Sequence, residues 1–231
     1  MKKTAIFFDF GGTLLVMRRD RIISRILTGN GYPATPDEVG SAYFAVEPAW
    51  LLAYGDRKLT PEQSEESYRV LDATVFGHLF PDSPESERLS HLMRKMWAEV
   101  QRSIPLELYP DVEPTLRRLS DDGYKLALVS NAPPDVAETV SDLGLGRYFQ
   151  VIVVSGVAGV SKPNPEIFKI ALRGTGAEPD EAIHVGDFYE ADVKGARNAG
   201  VAGLLIDRDG RYGEVDCPKI RGLGDVYGFL E

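Results

Sequence analysis

The chain has 231 residues, 43% of them hydrophobic, enough for a sizeable core in one large domain or one domain with an insert. Its formal net charge of −9 argues against wrapping nucleic acid or lying on an anionic membrane, although a small anionic ligand can still find a locally positive site. The single cysteine, Cys217, excludes an intrachain disulfide and a thiolate metal cluster within the chain, and it fits a reducing compartment.

The first apolar run, TAIFFD (4–9), is too short for a signal peptide, and no segment reaches membrane-spanning length. The expectation is a soluble cytoplasmic protein, monomeric or homodimeric. From 16 to 104 the sequence reads as helices, with Thr60 and Gln63 at the spacing of a capping box. Then short β-rich runs alternate with helical patterns. KLALVS (125–130) precedes a helix over about 134–143, and FQVIVVS (149–155) one over about 165–173. EAIHVGD (181–187) precedes one over about 191–199, and VAGLLID (201–207) follows. Asn164 before Pro165 reads as a helix start, and Gly200 as a helix end.

Apolar runs without strict alternation suit strands buried on both faces, as in a parallel sheet covered by helices. The spacing predicts a doubly wound, Rossmann-like α/β core over 1–15 and 105–231, with a helical cap inserted over 16–104. An insert directly after the first strand belongs at the carboxyl edge of the sheet, where it suits a lid.

Chemistry-bearing residues collect at the expected carboxyl ends of strands. Asp9 ends the first, Ser130 and Asn131 the second, Lys162 follows the third, and Asp187 ends the fourth with Asp192 close behind. Three carboxylates, a lysine and a hydroxyl around one crevice suit phosphoryl transfer. A carboxylate attacks phosphorus, while cation, lysine and hydroxyl balance charge on the other oxygens. A hard cation such as Mg²⁺ prefers carboxylate oxygens, which Asp9, Asp187 and Asp192 offer.

In order, these motifs are D-F-G-G-T from Asp9 to Thr13, a strand ending in Ser130, Lys162 before Pro-Asn-Pro, and G-D-F-Y-E-A-D from Gly186 to Asp192. They resemble the haloacid dehalogenase-like hydrolase superfamily over essentially the whole chain, and the insert resembles the cap of its phosphatase-like subgroup. The resemblance implies a Mg²⁺-dependent phosphatase of a small phosphorylated metabolite. It makes Asp9 the nucleophile, with Lys162 catalytic beside it. Thr13, Ser130, Asn131 and Lys162 become the phosphate-binding set. The metal falls to Asp9, the Gly11 backbone carbonyl, Asp187 and Asp192.

The family's first motif is D-x-D-x-T, and Gly11 stands where its second acid belongs. That acid protonates the leaving group and then activates water, so general acid/base catalysis is expected to be weakened. Two branches that also lack it define the alternatives. A 2-haloacid dehalogenase commonly lacks the metal-type fourth motif present here. A phosphonatase-like enzyme needs a cap lysine, for which Lys58 is the candidate. A third alternative is a catalytically weak member that binds a ligand or partner. Arg18, Arg21 and Arg25 share one helical face, read as solvated rather than as a second anion site. His184 is read as structural, and Tyr43, Phe44, Trp50 and Tyr54 as packing of the insert.

Overall fold

The structure, a computed structural model, describes residues 2–54, 60–102 and 106–231. Lys58 lies outside the described residues. The chain divides into two compact units, Met1–Val16 with Glu107–Glu231, and Met17–Leu106.

In the first unit, strands β1 (Ala5–Phe8), β2 (Lys125–Ser130), β3 (Val151–Val154), β4 (Ala182–Gly186), β5 (Ala202–Ile206) and β6 (Lys219–Ile220) form one sheet in the order β3-β2-β1-β4-β5-β6. Every pairing is parallel. Successive side chains of a strand point to opposite faces. Ile6 and Phe8 accordingly join one core cluster with Val112, Leu116 and Leu119, while Ala5 and Phe7 join another with Ile167, Phe168 and Ala171. Both faces are covered, which explains the uninterrupted apolar runs. Strand order reverses direction between β1 and β4, and the crevice beyond such a switch point is where these sheets bind ligands. Asp9 and Asp187 flank it.

Local chemistry sets the helix ends. In this unit α5 spans Val112–Asp121, α6 Val136–Asp142, α7 Ser155–Ala158, α8 Pro165–Thr175 and α9 Gly195–Asn198, after four helices among the described residues of the second unit. Asn164 caps α8 by accepting from the N–H of Glu166 at 2.9 Å. The stretch expected as one helix over about 191–199 differs: a π-helical turn, Tyr189–Lys194, precedes α9. The wider turn lets Asp192 fold back toward its own start, where its Oδ2 accepts the N–H of Phe188 at 2.9 Å. Strand β6 carried no usable signal, being two residues long beside Pro218.

The second unit holds α1 (Arg19–Gly29), α2 (Pro36–Tyr54), α3 (Pro61–Leu79) and α4 (Ser86–Arg102). Thr60 and Gln63 form the expected capping box at α3. Its own core includes Ile22, Ile23, Ile26 and Leu27 of α1, packed with Val75, Phe76 and Met93. Arg21 and Arg25 lie on the exposed side of α1 and Arg18 is half-buried. Buried Asp72 accepts from Tyr43 Oη, and Arg94 Nη2 lies 2.7 Å from its Oδ2. Trp50 packs against Tyr54 and Tyr68, as expected of an aromatic group inside the insert. No helix among the described residues is long and apolar enough to cross a membrane.

Candidate active site

Asp9 follows the last residue of β1 and is 7% exposed, since β1 is central and helices cover both of its faces. Opposite it stands Lys162, 2% exposed, whose Nζ donates to Asp9 Oδ1 and to Asp192 Oδ1, both at 2.6 Å. Residue 162 is far from either acid in sequence; the loop after β3 brings it in. Asn131 fixes that loop. Its Nδ2 donates to the Lys162 carbonyl at 2.8 Å, and its Oδ1 accepts the Lys162 N–H at 2.7 Å. The amide foreseen for phosphate thus has a partner the sequence did not suggest: it anchors the backbone that carries Lys162.

Asp192 is nearly saturated. Beside Lys162, His184 Nε2 lies 2.9 Å from its Oδ1, and Phe188 N–H donates to Oδ2. A carboxylate only accepts, so Nε2 carries the proton. Nδ1 is buried without a hydrogen-bond partner among the described residues. The contact with Asp192 was missed in the sequence, although a signal existed. His184 and Gly186 share one face of β4, and a Cβ on Gly186 would overlap the Asp192 carboxylate, so that carboxylate lies over the same face.

Two carboxylates sharing one ammonium cannot be equally favoured. Burial works against both, and the acid with more donors is the more stable anion. Burial pushes the Asp9 carboxyl up, with Lys162 opposing it. Asp192 is buried too, yet Lys162 and His184 hold it well below the usual carboxylate range. Burial disfavours the Lys162 ammonium, but Asp192 and Asp9 keep it firmly charged. Burial lowers the His184 imidazole, with Asp192 opposing it, which favours the neutral ring.

Asp187 lies half-buried against the loop that follows Asp9. The left-handed residue there is Gly12, at φ 79°, and a Cβ on it would overlap the Asp187 carboxylate. Asp9, Asp187 and Asp192 each present an oxygen, all within 4.8 Å of one another. Three carboxylates this close, two of them lying against glycines, suit a hard divalent cation. Ser130 ends β2 and is 4% exposed. Thr13 is fully buried, and its Oγ1 has no hydrogen-bond partner among the described residues.

A residue overlooked in the sequence is Arg208, after β5. Its Nη2 and Nε donate to the Thr13 carbonyl at 2.8 and 3.3 Å, and its Nη1 and Nη2 reach Asp111 at 3.1 Å. Its only sequence signal was a charge following a buried strand.

The model of the haloacid dehalogenase-like hydrolases matches residues 3–200. The chain belongs to that family. Among curated relatives, a phosphoserine phosphatase of Thermus thermophilus is 36% identical over 141 residues, 61% of this chain and 55% of the relative. The chain thus spans about half the length of that relative. A glyceraldehyde 3-phosphate phosphatase of Methanothermobacter thermautotrophicus is 28% identical over 95% of this chain and 92% of its own. A crystal structure of a HAD phosphatase from Thermococcus onnurineus shares the fold with a TM-score of 0.60 and 28% identity, covering 100% of this chain and 98% of that one.

Proposed function

We propose that the protein is a phosphoric monoester hydrolase acting on a small phosphorylated metabolite through an aspartyl-phosphate on Asp9. The observation that carries this reading is the pairing of Lys162 Nζ with Asp9 Oδ1 at 2.6 Å beside Asp187 and Asp192. The names of the two curated phosphatase relatives make small alkyl phosphomonoesters the first substrates to test.

Asp9 is the nucleophile. One carboxylate oxygen bonds to phosphorus as the bond to the leaving oxygen breaks, and the ester oxygen departs with the electron pair and takes up a proton. Water then attacks phosphorus and the Asp9–phosphorus bond breaks, returning the carboxylate and releasing phosphate. Lys162 orients Asp9 and sits where it can meet charge growing on the phosphoryl oxygens. Asn131 holds the Lys162 backbone, and His184 holds Asp192, which in turn holds the ammonium. Ser130 and the unpartnered Thr13 hydroxyl are the remaining donors for the phosphoryl group. Asp9, the Gly11 carbonyl, Asp187 and Asp192 form the set for Mg²⁺, which when bound would offset phosphoryl charge. Residues 16–104 serve as the cap that selects the substrate.

Gly11 removes a positioned acid/base, a loss of roughly 10²–10⁴ in rate. The penalty falls hardest on alkyl esters, whose leaving alkoxide needs the proton. The dehalogenase alternative is disfavoured because carbon–halogen cleavage makes no use of the cation set. The test is phosphate release from an aryl and an alkyl phosphate with and without Mg²⁺, in wild-type and Asp9→Asn protein. Equal rates in both proteins would sink the reading.

A further inference from the structure

We infer that Arg208 and Tyr212, on the loop between β5 and β6, are positioning residues that hold the two acid-bearing loops of the site at a fixed spacing. The inference rests on the hydrolase reading above.

The loop after Asp9 contains Gly11 and Gly12 in succession, the pair with the most backbone freedom to lose. Internal bonds fix part of it. Gly12 N–H donates to the Leu15 carbonyl at 2.8 Å, and the N–H groups of Leu14 and Leu15 both donate to the Phe10 carbonyl. The Thr13 carbonyl faces outward, and Arg208 supplies it with two donors. That guanidinium is itself fixed. Asp111 takes its other two hydrogen bonds, and its face lies 3.8 Å from the centroid of the Tyr109 ring. Asp111 Oδ2 also accepts the Leu223 N–H at 2.7 Å. A planar, multiply anchored cation thus holds the peptide between Thr13 and Leu14, next to Gly11 and Gly12 in the same turn.

Four residues on, the same loop reaches the other acids. Asp207 folds it by accepting the N–H groups of Arg211 at 2.7 Å and Tyr212 at 3.2 Å. Tyr212 Oη then accepts the N–H of Tyr189 at 3.1 Å. Tyr189 opens the π-helical turn that carries Asp192, and Asp187 lies two residues before it. Lys219 closes the loop by donating to the Tyr212 and Gly213 carbonyls. One short segment therefore touches the backbone beside Asp9 and the backbone between Asp187 and Asp192. A mere staple of β5 to α5 would need only the Arg208–Asp111 pair. The contacts to Thr13 and Tyr189 go beyond it, and both fall within four residues of the acids.

The test uses the full chain with Arg208→Met, Arg208→Lys and Tyr212→Phe. Orienting partners of a metal site typically contribute about 10–100-fold to activity or metal affinity. Arg208→Met should lower kcat on an aryl phosphate and raise half-saturating Mg²⁺ by about tenfold or more, with KM moved by less than about threefold. Arg208→Lys should recover part of the loss, and Tyr212→Phe should lose about 2–10-fold, one hydrogen bond's worth. In parallel, amide exchange of Leu14 and Leu15 should speed up in Arg208→Met by more than the change in global stability explains. That readout stands without turnover, so a wild-type protein inactive on phosphate esters would defeat the hydrolase reading and leave the positioning role to be judged by exchange. Unchanged exchange at Leu14 and Leu15, or a lowered melting temperature with unchanged kcat and Mg²⁺ requirement, overturns the inference. Should Arg208→Met not fold, Arg208→Lys and Tyr212→Phe decide by the same two readouts.

Discussion

The Asp187 carboxylate occupies the space that a side chain at Gly12 would need, and Gly12 is held at φ 79°. Two constraints coincide at one residue, a left-handed backbone and a close approach by a charged group. Gly12→Ala should therefore cost about 1–3 kcal/mol in backbone strain and also displace Asp187. Urea melts should show the destabilisation, and calorimetric Mg²⁺ titration should show weakened binding. Wild-type Mg²⁺ affinity in Gly12→Ala would mean that Asp187 is not placed by this contact.

Lys162 pairs with two buried acids at once. Lys162→Met leaves Asp9 and Asp192 facing each other uncompensated, and removing one partner of a buried pair costs about 3–5 kcal/mol. The expected result is a lower melting temperature that Mg²⁺ raises more in the variant than in wild-type, because the cation restores the missing charge. An equal Mg²⁺ effect in both proteins would contradict this electrostatic picture.

Gly11 offers the most specific variant. Gly11→Asp should raise turnover of an alkyl phosphate more than that of an aryl phosphate, since the supplied proton matters most to the poorer leaving group. The check is the ratio of kcat/KM for the two esters. A ratio unchanged by the substitution, or a wild-type protein already efficient on alkyl esters, would show that the proton comes from elsewhere.

The second unit carries its own buried charge group. Asp72, 1% exposed, accepts from Tyr43 and pairs with Arg94 at 2.7 Å. Asp72→Ala removes the buried carboxylate that takes both contacts and should destabilise this unit by more than Tyr43→Phe, which removes one hydrogen bond and should cost about 1 kcal/mol. Chemical denaturation of the two variants, followed by tryptophan fluorescence, measures the contrast.

Much of this molecule was legible from its residues, and the rest was hidden for identifiable reasons. Strands β1 to β5 announce themselves because each is buried on both faces and so reads as an apolar run. The Asn164 and Thr60 caps follow from local hydrogen-bond chemistry. Asp9, Lys162, Asp187 and Asp192 could be named because each ends or follows such a run. The hidden parts depend on tertiary contact. The π-helical turn at Tyr189–Lys194 has no distinctive pattern, since it arises from Asp192 turning back to Phe188 N–H. His184 looked like a core residue because its Asp192 contact joins a strand to a turn beyond it. Arg208 went unnoticed because Thr13, its acceptor, lies near the other end of the chain. Asn131 was read for its side-chain chemistry, and its partner proved to be a backbone.

Whether Asp9 takes the phosphoryl group is decided by Mg²⁺-dependent phosphate release from wild-type and Asp9→Asn protein at equal, verified folding. Wild-type turnover should be abolished by chelation, and Asp9→Asn should lose roughly 10³ or more. Comparable turnover in the two proteins, or wild-type turnover that persists after chelation, would contradict this mechanism.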